Sequence, residues 1–147
     1  MYGLIVFLHV LGASVWVGGH LVLALTVLPR ALKARQPEIL LAFENGFERV
    51  GMPALLLQVV TGLWLAHRYA PAIADWFTLG ARIPAHILTK LVLLIGTLAL
   101  AASARWRVIP RLTPDTLPTL AWHIALVTLF AVLFVAVGVS VRTGLLF

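Results

Sequence analysis

Residues 4–28, LIVFLHVLGASVWVGGHLVLALTVL, run without a single formal charge. As a helix rising about 1.5 Å per residue, the stretch exceeds the roughly 30 Å hydrocarbon core of a bilayer. It reads as a transmembrane helix. Two ionisable side chains interrupt it, His9 and His20. They are eleven residues apart, within about 20° of three full helical turns, so both imidazoles leave nearly one face, about 16 Å apart along the axis. Trp16 lies close to the same stripe. Ionisable groups inside a membrane are costly and usually face the bundle interior. Two polar residues satisfied by neighbouring helices would be the plain reading. The sharper one is that each histidine anchors its own site, one in each leaflet.

Composition supports a membrane setting. Of 147 residues, 62% are hydrophobic and 11% charged, and the mean hydropathy is +1.05. That is the make-up of a small polytopic membrane protein, with length for about four spans and short loops. The formal net charge of +6 fits cytoplasmic loops beside anionic lipid heads better than nucleic acid, which is not expected as a partner. There is no cysteine. That removes disulfides, cysteine-ligated zinc, iron–sulfur clusters and thioether-attached haem. Met1 and Met52 are the only methionines, so soft ligands for Cu(I) are scarce. The N-terminal stretch lacks a basic leader and its apolar run is long for a signal peptide, so it is expected to stay as an anchor.

The fold class expected is all-α, an integral membrane bundle of four transmembrane helices in one domain. The spans fall at about 4–28, 50–69, 83–104 and 117–141. Residues 37–48 hold apolar positions at helical spacing and suit an amphipathic segment at the interface. Residues 70–82 and the basic, proline-rich 105–118 read as loops. Arg30, Lys33, Arg35, Arg49, Arg105, Arg107 and Arg111 stand on one side of these spans, and Arg68, Arg82 and Arg142 on the other. Seven against three puts loops one and three in the cytoplasm and both termini outside, in the inner (plasma) membrane of a bacterium.

Depth then sorts the polar groups. His9 and Lys90 lie about two turns in from the outer ends of their spans. His86 stacks one turn above Lys90. His20 and His123 lie toward the inner side. His9 therefore pairs in depth with Lys90 and His86, and His20 with His123. Lys90 is too deep to snorkel easily, and a lysine there needs to be neutral, paired or coordinating. Nitrogen ligands from facing helices in an apolar slot suit a b-type haem or a metal. His67, beside Arg68, reads as an interfacial residue, and Glu44 and Glu48 as partners for Arg49 and Lys33. Glycines 12, 18 and 19 read as close-packing positions. No nucleophile triad, phosphate loop or zinc-protease motif is present, and no catalytic residue is singled out.

Four motifs carry a family resemblance. They are LHxxxxxxWxGG in span one, the LPR that closes it, FERxGxPxLxxQxxTGxWL into span two, and HxxxKLxLL in span three. In order and spacing the chain resembles the superfamily of CopD-type copper-resistance membrane proteins and HemJ-type protoporphyrinogen oxidases, over nearly its whole length. The HemJ side implies haem b at a span-one histidine and a span-three lysine, which match His9 and Lys90. His20, His86 and His123 look more like the CopD side. Three functions follow as expectations. One is a haem b-binding redox protein, with one or two haems on His9, Lys90, His86, His20 and His123, exchanging electrons with quinone or a periplasmic partner. The second is a copper protein of transport or resistance, with His9, His20, His86 and His123 as metal ligands. The third is oxidation of protoporphyrinogen or a related tetrapyrrole. A purely structural bundle and self-association stay open.

Overall fold

The computed structural model describes residues 1–78 and 80–146. Four helices are long and apolar enough to cross a membrane: α1 Tyr2–Ala34, α2 Pro37–Tyr69, α3 Arg82–Arg111 and α4 Leu117–Thr143. The chain is thus the expected all-α bundle of four spanning helices.

Prolines shape the helix ends. In α1 the turn Leu23–Val27 widens to π geometry, and the N–H of Leu28 reaches back to the carbonyl of Leu23. Pro29 follows directly. It has no N–H for Leu25 and its ring crowds that carbonyl, so the chain relieves the conflict by widening. The same device recurs in α3, where the π turn Ala104–Val108 runs ahead of Pro110. Arg35 ends α1 with φ 56°, and the N–H of Gln36 bonds Ala31 at 3.1 Å. Pro37, at the first turn of α2, has a fixed φ suited to that place.

Two spans run further than the sequence suggests. Residues 37–48 and the second span form one 33-residue helix. At about 1.5 Å per residue it measures roughly 50 Å, so its charged first third extends past a 30 Å core or the helix tilts. Pro53 inside it removes one backbone hydrogen bond without ending it. Residues 105–111, read as loop, continue α3 through its π turn and a 3-10 turn at Ile109–Arg111. The true connection is only 112–116.

Packing runs α2 on α1, α1 on α4, and α4 on α3. Helices α2 and α3 share no packed face; they are joined at their ends. At one end Trp76, in the 3-10 helix Ile73–Phe77, donates Nε1–H to the Ala70 carbonyl at 2.8 Å and buries itself against Ala70 and Ile87. Trp76 is therefore a wedge between helices rather than a belt residue. At the other end Arg105 of α3 stands 3.9 Å from Glu48 of α2. Between these two braces the α2–α3 side of the bundle, its lateral opening, has no helix-on-helix packing among the described residues. The main apolar core lies toward the basic end, where Leu28, Ala31, Leu40, Leu117, Leu120 and Ile124 bury one another.

Candidate functional site

His9 projects from α1 onto α2. Its Nδ1 lies 2.8 Å from the Thr61 hydroxyl, and Thr61 in turn donates to the Leu57 carbonyl. The single hydroxyl proton is thereby spent, so Nδ1–H is the donor to Thr61, and Nε2 carries the lone pair. Gln58 adds a hydrogen bond from its side-chain amide to the His9 carbonyl. The ring lies over Gly62, where a β-carbon would stand only 3.2 Å from Cε1. Any side chain larger than glycine there would push the imidazole aside. Thr61 and Gly62 thus fix the imidazole, with Gln58 on the His9 backbone, and leave Nε2 as the ring's available nitrogen.

Lys90 projects from α3 onto α4. Its Nζ would stand 3.7 Å from a β-carbon at Gly138. Among the described residues no carboxylate or hydrogen-bonding group engages it. Each of the two groups paired by depth reaches over a glycine of the helix it packs on, His9 over Gly62 of α2 and Lys90 beside Gly138 of α4.

His86 is 2% exposed and differs in its commitments. Its Nδ1 bonds the Arg82 carbonyl at 2.7 Å and its Nε2 the Ser140 hydroxyl at 3.2 Å. Ser140 also accepts the N–H of Leu146 at 2.9 Å, and Arg82 donates to the Ser140 carbonyl at 3.2 Å. Both imidazole nitrogens of His86 are thus engaged, Nδ1 within α3 and Nε2 across to the end of α4. His123 is placed the same way. Its Nδ1 bonds the Thr119 carbonyl at 2.9 Å and its Nε2 the Ser103 hydroxyl at 3.1 Å.

His20 stands elsewhere. Its Nδ1 bonds the Trp16 carbonyl at 2.8 Å, which leaves Nε2 as the lone-pair nitrogen. The ring lies 4.4 Å from Trp16 and meets Phe47 edge-on at 5.7 Å. Phe47 fills the space left by Gly19 and Gly51, where a β-carbon would collide with it. His20 therefore faces α2 while His123 faces α3. Among the described residues no bond or ring contact joins them. His67 is exposed near the end of α2.

Among the described residues no three histidine, aspartate, glutamate or cysteine side chains gather as a metal cluster. Among the histidines inside the spans, Nε2 of His9 and of His20 has no hydrogen-bond partner among the described residues. Sequence reading did not single out Thr61, Gln58, Gly62, Ser103 or Ser140 as partners of these histidines. The signal was there for the α2 trio, since Gln58, Thr61 and Gly62 are polar or small positions in an otherwise apolar run.

Fold and charge placement define an integral membrane four-helix bundle with histidines and, among the described residues, an unpaired lysine inside its spans. The profile of the copper resistance protein D family, CopD, matches residues 41–141, and the chain belongs to that family. The matched stretch takes in most of α2, all of α3 and nearly all of α4; His9 and His20 on α1 lie ahead of it. No curated protein and no solved structure matches the chain.

Proposed function

We propose that the protein handles copper in copper resistance, and that the ion is held at the lateral opening by Nε2 of His9 and the amine of Lys90. Membership of the copper resistance protein D family supports the metal. The observation that carries the place is the locked imidazole of His9, whose Nδ1 is bound to Thr61 and whose Nε2 is left for a ligand. Nitrogen donors suit Cu(II), and cysteine, the soft ligand for Cu(I), is absent from the sequence. A lysine amine coordinates only when neutral, through its lone pair. Two protein nitrogens fit an ion in passage, completed by water, better than a closed structural centre. The charge asymmetry of the loops supports a bacterial inner membrane with both termini outside.

Copper bound per chain, measured by elemental analysis on detergent-purified protein after Cu(II) loading and gel filtration, tests this. Wild type should retain about one copper; His9→Ala should lose it and Lys90→Met should weaken it. Equal copper in wild type and His9→Ala would remove the site.

A second reading is favoured by one observation, the single oriented imidazole over the bare backbone of Gly62. That is a setting for an axial ligand to haem b, with electrons then passed to quinone or a periplasmic partner. Optical spectra of the same samples, oxidised and dithionite-reduced, distinguish it: a Soret band lost in His9→Ala would favour haem over copper.

A further inference from the structure

The basic end of α3 and α4 carries a separate feature. Arg105 and Arg107, two residues apart, leave opposite sides of α3. Arg105 faces Glu48 of α2. Arg107 and Arg111 instead line a hollow between α3 and the start of α4, and Arg107 also a second hollow along α3 itself. One, of about 160 Å³, is walled by Arg107, Arg111, Thr116 and Thr119. The next, of about 220 Å³, has Ala99, Ala102 and Trp106 along it. Arg107 stands in the wall of both. The loop that presents Arg111 is fixed, since Thr116 donates its hydroxyl to the Arg111 carbonyl at 3.2 Å.

Two neighbouring cations are already paired. Arg35 holds Asp115 at 2.6 Å, and Arg105 has Glu48. Among the described residues neither Arg107 nor Arg111 has a carboxylate partner. Two guanidiniums in a hollow without an anion call for one. The place is where α3 and α4 leave the apolar zone, and Trp106 and Trp122 are exposed there at 77% and 70%, as residues of a membrane–water interface are. The hollows are ordered as a phospholipid is: cations and hydroxyls at the helix ends, then further along α3 two alanines, a tryptophan and Ser103, whose hydroxyl is engaged with His123. A free phosphate would use only the first.

We propose that Arg107 and Arg111 bind the phosphate head of an anionic phospholipid, whose glycerol and upper acyl chains lie along Ala99, Ala102 and Trp106. Guanidinium forks match phosphate oxygens in two-point fashion, and basic pockets between spanning helices take such head groups. The site is independent of the copper reading.

Native mass spectrometry of the detergent-purified full chain, with phosphatidylglycerol or phosphatidylcholine added, tests the proposal. Wild type should retain phosphatidylglycerol in preference. Arg107→Gln with Arg111→Gln should cut that preference roughly thirtyfold, the effect of two cations near a charged surface. Arg107→Lys with Arg111→Lys should keep most of it. Arg30→Gln with Lys33→Gln, an equal charge loss at the same end, should leave it essentially unchanged. Equal losses in the two glutamine pairs, or displacement of the lipid by millimolar inorganic phosphate, would overturn the proposal. If the glutamine pair does not fold, photoactivatable phosphatidylglycerol on the wild type decides: cross-links should fall within residues 99–122, and cross-links confined elsewhere would overturn it.

Discussion

At the scale of the residue, the histidines divide by what their second nitrogen does. In His20, His86 and His123 the Nδ1 is tied to the carbonyl four residues back, a bond any helical histidine can make from its own turn. Nε2 then depends on the neighbouring helix, and Ser140 and Ser103 occupy it in His86 and His123. His9 alone sends Nδ1 to another helix, to Thr61. An imidazole ligand oriented from behind is a stronger and better-aimed donor, and loss of the orienting partner typically costs 10–100-fold in metal affinity. Thr61→Val keeps shape and removes the hydroxyl. It is expected to weaken copper binding at His9 by about that factor, read by competition with a chelator of known affinity, while the helical content stays that of wild type. Binding unchanged in Thr61→Val would mean that the hydroxyl does not orient the ligand. The sequence made His9 and Lys90 legible, because a charged or ionisable group at that depth needs a reason. It did not reveal that His86 and His123 are spoken for, because a serine one helix away is invisible until helix rotation is known.

At the scale of the element, two adjacent glycines show what a motif leaves unsaid. Gly18 and Gly19 stand together in WVGG, and both read as packing positions. Only Gly19 meets a partner: a β-carbon there would enter the ring of Phe47, whereas nothing lies within 4 Å of one at Gly18. Phe47 also carries the contact to His20. Gly19→Val therefore forces the α1–α2 seam apart. Overpacking of this kind costs about 1–3 kcal/mol; in thermal unfolding in detergent Gly19→Val should melt clearly below wild type, with Gly18→Ala close to it. Similar melting for the two variants would show that the seam does not close on Phe47. The π turns belong to this scale too. Both precede a proline by the same offset, so their cause is local, and their positions were readable from Pro29 and Pro110. The π turn in α3 carries Arg105 and Arg107, which as residues two apart face α2 and the start of α4.

At the scale of the whole molecule, orientation follows from charge. Seven lysines and arginines on the side of loops one and three against three on the other predict that loop 112–116 is cytoplasmic. The chain has no cysteine, so single cysteines report cleanly. Ala74→Cys should react with a membrane-impermeant maleimide added to intact cells, and Thr113→Cys only after permeabilisation. The reverse pattern would invert the protein in the membrane and leave its side-chain pairings as they are. What the sequence determined alone is the number of spanning helices and the depth of every polar group along them, because length, hydropathy and rise per residue are properties of each segment by itself. The family, too, was legible in the order and spacing of its motifs. What only the tertiary structure decided is which helices touch. Depth matched His20 with His123 as readily as His9 with Lys90, yet the rotation of each helix turns His20 to Phe47 of α2 and His123 to Ser103 of α3, and sets His9 over Gly62 of α2 and Lys90 beside Gly138 of α4. A helix of uniform apolarity can present almost any face to its partners at similar cost in lipid. The side that meets α2, α3 or α4 is therefore set by a few close contacts, glycine under an aromatic ring or hydroxyl on an imidazole, whose partners lie far away in the chain.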